Sequence, residues 1–85
     1  MTAEEVMLTT KDAYYKAKEL LEGYITDLSK QIDEAEALLP TLKPHHVTAL
    51  LEVQIRKARN QVEQYRQMVA EVQKSIDDVE RSMAS

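Results

Sequence analysis

Residues 51–83, LEVQIRKARNQVEQYRQMVAEVQKSIDDVERSM, decide the fold. Leu51, Ile55, Ala58, Val62, Tyr65, Val69, Val72, Ile76, Val79 and Met83 follow one another at alternating steps of four and three residues without a miss. Such alternation holds one stripe of side chains on one side of an α-helix, so it spells a heptad seam. With Ile55, Val62, Val69, Ile76 and Met83 at position a, Leu51, Ala58, Tyr65, Val72 and Val79 fall at d, and the positions between are mostly Gln, Glu, Lys, Arg and Asp. The pattern predicts a helix from about Pro44 to about Arg81. Pro44 suits the first helical position, where its missing N–H would be unpaired anyway.

The first half repeats the period with more noise. Met7, Tyr14, Leu21, Leu28 and Ala35 stand at d and Ile25, Ile32 and Leu39 at a, with Lys11 and Lys18 at a near the start. Thr2 followed by Glu5, and Thr9 followed by Asp12, are each capping signatures, so the helix starts at one or the other and runs to about residue 39. Gly23 falls at an outward f position, where it costs roughly 1 kcal/mol relative to Ala without breaking the helix.

Between the runs lies Leu39-Pro40-Thr41-Leu42-Lys43-Pro44. Each proline biases its predecessor away from helical geometry, so one helix must stop and the next restart. A turn over 40–43 between long helices implies an antiparallel hairpin. Pairing residues whose numbers sum to 86 or 87 sets Ala35 beside Leu51, Ile32 beside Ile55, Leu28 beside Ala58, Ile25 beside Val62, Leu21 beside Tyr65 and Tyr14 beside Val72. Every one of those layers is apolar. The same register sets Glu22 beside Arg66 on a flank, Lys18 against Val69 and Lys11 against Ile76, so the seam is expected to loosen toward the open end. The expected architecture is all-α, a single domain over residues 1–85 in the form of a coiled-coil-like antiparallel two-helix hairpin.

A chain of 85 residues buries only a modest share of its unfolded surface and usually needs a staple. Cysteine is absent, so disulfides and thiolate metal sites are excluded, and dimerisation or a partner protein is the expected completion. A cysteine-free chain fits a reducing compartment, and the acidic start Met1-Thr2-Ala3-Glu4-Glu5 lacks the basic and apolar regions of a signal peptide, so a cytoplasmic location is expected. A formal net charge of -4 gives no electrostatic reason to approach nucleic acid or an anionic membrane.

Residues that suggest chemistry have plainer readings. Adjacent His45 and His46 point about 100° apart on a helix, whereas metal-binding pairs sit at i and i+3 or i+4 with a third ligand nearby. Asp33, Glu34 and Glu36, and Asp77, Asp78 and Glu80, would need a pocket to act as paired catalytic acids and bases, and a two-helix hairpin encloses none; they read as solvated faces. Arg56, Lys57 and Arg59 form the one local basic group, without an interleaved aromatic for base stacking and opposite the acidic end of the first helix, which reads as internal charge balance. No enzyme activity, cofactor or metal is expected.

The anomaly is a second apolar strip. Ala13, Ala17, Leu20 and Tyr24 follow one another at steps of four, three and four beside the first helix's main seam, and the register lays Met68 against Ala17. One hairpin needs one seam, so a broader apolar face is expected to be covered by another molecule, the alternative being that these residues merely thicken the contact within the hairpin. These five residues are the candidate partner-binding site.

The stretch Leu28-Ser29-Lys30-Gln31-Ile32-Asp33-Glu34, the turn Leu42-Lys43-Pro44-His45-His46-Val47 and the Leu-rich helix after it resemble the short co-chaperones of bacterial type III secretion systems that escort the needle subunit. The similarity covers residues 20 to about 65; Val47 stands where an aromatic is more usual, and the second helix is longer. The resemblance implies a helical hairpin paired with a tetratricopeptide-like chaperone, the two together sequestering an amphipathic segment of the needle protein. A self-associating four-helix bundle with no client is the alternative, in which the chain's partner is itself as a homodimer.

Overall fold

The computed structural model describes residues 2–43 and 45–84. Helix α1 spans Ala3–Leu38 and helix α2 spans His45–Ala84, with a short 3-10 turn over Leu39–Thr41 between them. At 1.5 Å rise per residue a helix of 40 residues is about 60 Å long. The molecule measures 63 × 16 × 14 Å, so the helices lie side by side along its whole length. No helix is long and apolar enough to cross a membrane among the described residues.

Thr2 rather than Thr9 opens α1. The Thr2 hydroxyl accepts from the Glu5 N–H at 3.2 Å, and Glu4 and Glu5 complement the positive end of the helix dipole. Thr9 lies inside the helix and turns its hydroxyl back to the Glu5 carbonyl at 3.0 Å, a bond that needs no helix start. Gly23 sits in mid-helix with open space around the position of an added Cβ.

Pro40 ends α1 in a way its sequence context does not suggest. Leu39 keeps helical dihedrals, φ -49° and ψ -48°, although a proline follows it. The chain accommodates Pro40 by tightening into the 3-10 turn, and Leu42, at φ -87° and ψ 134°, is extended. Side chains then satisfy the loose carbonyls: Thr41 donates to Leu38 O at 2.6 Å and Thr48 to Leu42 O at 3.3 Å, which ties the turn to the first turns of α2. The predicted start of the second helix at Pro44 lies outside the described residues. At its far end α2 runs three residues beyond the predicted Arg81, to Ala84.

The core follows the expected register. Ile32, Ile55 and Val62 form a buried cluster against which Ile25, Leu28, Ala35, Leu39, Leu51 and Ala58 pack. The expected loosening of the open end is corrected by Ile76, which is 0% exposed and the most deeply buried of the described residues. Lysine explains the difference, because its four-carbon stem can cover apolar surface while its ammonium reaches outward. Lys11 is level with Ile76 in the register and sends its Nζ to Glu80 Oε1 at 3.4 Å; Lys18 sends its Nζ to Gln73 Oε1 at 2.7 Å. The expected Glu22 and Arg66 pair is also corrected. Glu22 Oε1 lies 3.8 Å from Lys18 Nζ on its own helix, and Arg66 lies 4.0 Å from Glu63 on its own, since neighbours one turn away compete well for exposed charges.

Candidate protein-binding face

The two flanks of the hairpin differ in chemistry. On the flank made by the e positions, Tyr15 donates to Glu80 at 2.7 Å, Lys11 approaches the same carboxylate oxygen, and Arg59 pairs with Glu36. That side is closed by bonds between the helices. It also gives Arg59 of the basic group a partner within the chain. The Tyr15 hydroxyl is held above the ordinary tyrosine range, first by its hydrogen bond to Glu80 and then by desolvation and the nearby carboxylate charges. Glu80 is held below the ordinary carboxylate range, first by the Tyr15 hydrogen bond and then by Lys11. Glu80 is therefore bonded rather than simply solvated, and Asp77 likewise accepts from Gln73 at 2.9 Å.

The opposite flank carries the second apolar strip. Leu20 is 60% exposed, Tyr24 51% and Met68 47%; Ala13 is exposed and Ala17 half-buried. Tyr24 divides its surface: its ring stands 5.7 Å from that of Tyr65, tilted by 36°, so one face braces the hairpin while the rest meets solvent. Leu20 and Tyr24 border a shallow depression with Lys16, Glu19, Gly23 and Asp27, and Gly23 supplies the gap because it has no side chain there. Met68 is not among the residues bordering that depression. It stands on α2 beside Ala17 in the register and is a flanking member of the site.

Two parts of this flank escaped the sequence reading. Continuing the strip backward in steps of three and four from Ala13 leads to Thr10, Val6 and Ala3, so that Ala3, Val6, Thr10, Ala13, Ala17, Leu20 and Tyr24 make a seam without a charge. Ala3 and Val6 are exposed and Thr10 is half-buried. The Thr10 hydroxyl donates to the Val6 carbonyl at 2.8 Å, so it is satisfied within α1. Near the turn, Leu38, Val47 and Leu50 are a second exposed apolar group on the same flank, separated from the first by Asp27, Gln31 and Glu34. Both could have been found by following the c and g positions along the whole helix as closely as a and d.

His45 and His46 are exposed at the start of α2, and no group of three or more metal-ligating side chains is found among the described residues. No protein-family profile matches the chain, and no curated protein or solved structure matches it. The site rests on its own geometry.

Proposed function

We propose that this chain is a non-catalytic protein-interaction module that receives an amphipathic helix along the exposed c and g face of α1. The observation that carries the reading is the contrast between flanks. One side of the hairpin is closed by ion pairs and hydrogen bonds, while the other leaves Leu20, Tyr24 and Met68 about half exposed beside Ala13 and Ala17. Heptad spacing is the pattern that accepts another helix, knobs into holes.

The resemblance to needle-subunit co-chaperones supports a client reading, in which the helix belongs to a tetratricopeptide-like chaperone or to the needle protein it escorts, in the cytoplasm. The uncharged seam of c and g positions between Ala3 and Tyr24 supports a self-association reading, in which the helix belongs to a second copy. Both use the same face.

The double variant Leu20→Lys, Tyr24→Lys tests it. Association, measured by the mass in solution and by co-purification with a co-expressed chaperone and needle subunit, is expected to weaken by more than tenfold while the helical circular dichroism signal is kept. An unfolding midpoint independent of concentration, a monomeric mass and unchanged co-purification of the double variant would together overturn the proposal.

A further inference from the structure

The occupant of the α1 face can be named from the size of its residues. We infer that two copies of this chain pair α1 against α1 in antiparallel fashion, about a two-fold axis at Ala13, through the seam Ala3, Val6, Thr10, Ala13, Ala17, Leu20 and Tyr24. The inference rests on the interaction reading above and commits it to one partner.

Laid against its own copy with residue numbers summing to 26 or 27, the seam matches itself. Tyr24 meets Ala3, the largest side chain against the smallest. Leu20 meets Val6, Ala17 meets Thr10, and Ala13 meets Ala13. A two-fold interface must be complementary to itself, and in this register all seven uncharged positions of the seam meet one another. The arrangement reuses the hairpin's own rule, in which the a layers share one sum and the d layers the next. Small residues at the centre let the helices approach closely, while Leu20 and Tyr24 pack at the ends.

The other exposed apolar group on this flank, Leu38, Val47 and Leu50 near the turn, is short and is cut off from the seam by Asp27, Gln31 and Glu34. On α2 the c and g positions beyond Leu50 read Gln54, Lys57, Gln61, Gln64, Met68, Glu71, Ser75 and Asp78, a polar series broken once by Met68. A second copy therefore has only its own α1 to offer an uncharged stripe of this length. The need is also visible in the core: among the described residues Ile32, Ile55, Val62 and Ile76 alone are buried, a thin core for a chain of this size. Met68, beside Ala17 in the register, would flank the new seam.

Absence of cysteine makes the register directly testable, since each introduced thiol is the only one in its chain. In oxidising buffer Ala13→Cys is expected to form a covalent dimer, because the two thiols face each other across the axis. Asn60→Cys, on the exposed outer side of α2, serves as the control and should lag by more than tenfold. Val6→Cys should cross-link poorly with itself, yet readily with Leu20→Cys when the two variants are mixed. The unmodified chain should show twice its 9.8 kDa mass at tens of micromolar. Ala13→Cys no faster than the control, or Val6→Cys self-linking as fast as Ala13→Cys, would overturn the pairing. A monomeric wild-type chain whose co-purified partner is lost in the Leu20→Lys, Tyr24→Lys variant would overturn self-pairing and leave the interaction module standing.

Discussion

Tyr15 donates its phenolic O–H to Glu80 at 2.7 Å, joining α1 to α2 four residues from the end of the latter. Lys11 completes the cluster, 3.4 Å from the same carboxylate oxygen and 5.9 Å from the centre of the Tyr15 ring. The open end of the hairpin is thus held by a charge-assisted clasp outside the buried Ile76. Its response to pH follows from the two shifts. Glu80, lowered in the folded state, contributes above the unfolded carboxylate range, and that contribution is lost as pH falls through its folded value. Tyr15, raised in the folded state, contributes below the unfolded tyrosine range, and its contribution is lost as pH rises through its folded value. Amide protection, measured relative to the unfolded chain at the same pH, should therefore fall near residues 8–15 and 76–83 at both pH extremes in the wild type. In Tyr15→Phe the alkaline change attributable to this contact should vanish. An identical alkaline response in Tyr15→Phe would remove the clasp from the account.

Ile76 has a larger claim on stability than its place near the open end suggests. Its side chain is fully buried, whereas Ile32 at the heart of the turn-proximal cluster keeps 8% exposure. Replacing either by Ala should cost about 2 to 5 kcal/mol, and Ile76→Ala should cost at least as much as Ile32→Ala. Denaturant unfolding followed by circular dichroism gives the comparison. A near-neutral Ile76→Ala would mean that the helices splay beyond Val69.

How far the sequence could be read depended on the kind of interaction. The a and d seam repeats over many layers, so one wrong layer could not displace the register, and Ile32, Ile55 and Val62 meet as the spacing demands. Single-residue features were less secure. Thr2 and Thr9 offer the same hydroxyl, and the extended backbone at Thr2, φ -82° and ψ 161°, with the bond its hydroxyl accepts from the Glu5 N–H, marks it as the cap. Leu39 stays helical before Pro40 because a 3-10 turn absorbs the proline, an option that local propensity does not rank. Lys11 and Lys18 looked like breaks in the seam because a letter shows the charge and not the stem. The candidate strip is visible from Ala13 to Tyr24; its continuation through Thr10, Val6 and Ala3 carries a hydroxyl and small side chains, so it gives little apolar signal.

The turn-proximal register can be measured without touching the core. Gln31 and Gln54 are both exposed, and with Leu28, Ile32, Leu51 and Ile55 they border one shallow surface hollow that spans the two helices. Spin labels at these two positions should lie within about one interhelical spacing of 8 to 10 Å plus the label linkers. Residues this far apart in one unbroken helix would stand more than about 30 Å apart at 1.5 Å per residue. A distance of that size in the monomer fraction would contradict the hairpin.

Gly23 separates hairpin stability from partner binding. It lies in the interior of α1 on the exposed side, and nothing approaches within 4 Å of where a Cβ would stand. Gly23→Ala should therefore gain helix propensity without strain, stabilising the hairpin by up to about 1 kcal/mol, which in a domain of this size raises the unfolding midpoint by about 4 to 8 °C. The same methyl group enters the depression bordered by Leu20 and Tyr24. A partner helix seated along that face loses the gap, so association should weaken severalfold while the dilute, unassociated protein melts higher. Few substitutions move the two quantities in opposite directions, and a merely structural glycine would raise the midpoint and leave association alone. Unfolding at sub-micromolar concentration, set beside the dissociation constant from analytical ultracentrifugation, reads both. An unchanged dissociation constant would exclude the depression from the contact and confine the interface to the line of seam residues; a lowered midpoint would mean that Gly23 answers a backbone requirement in α1 that the open space around it does not reveal.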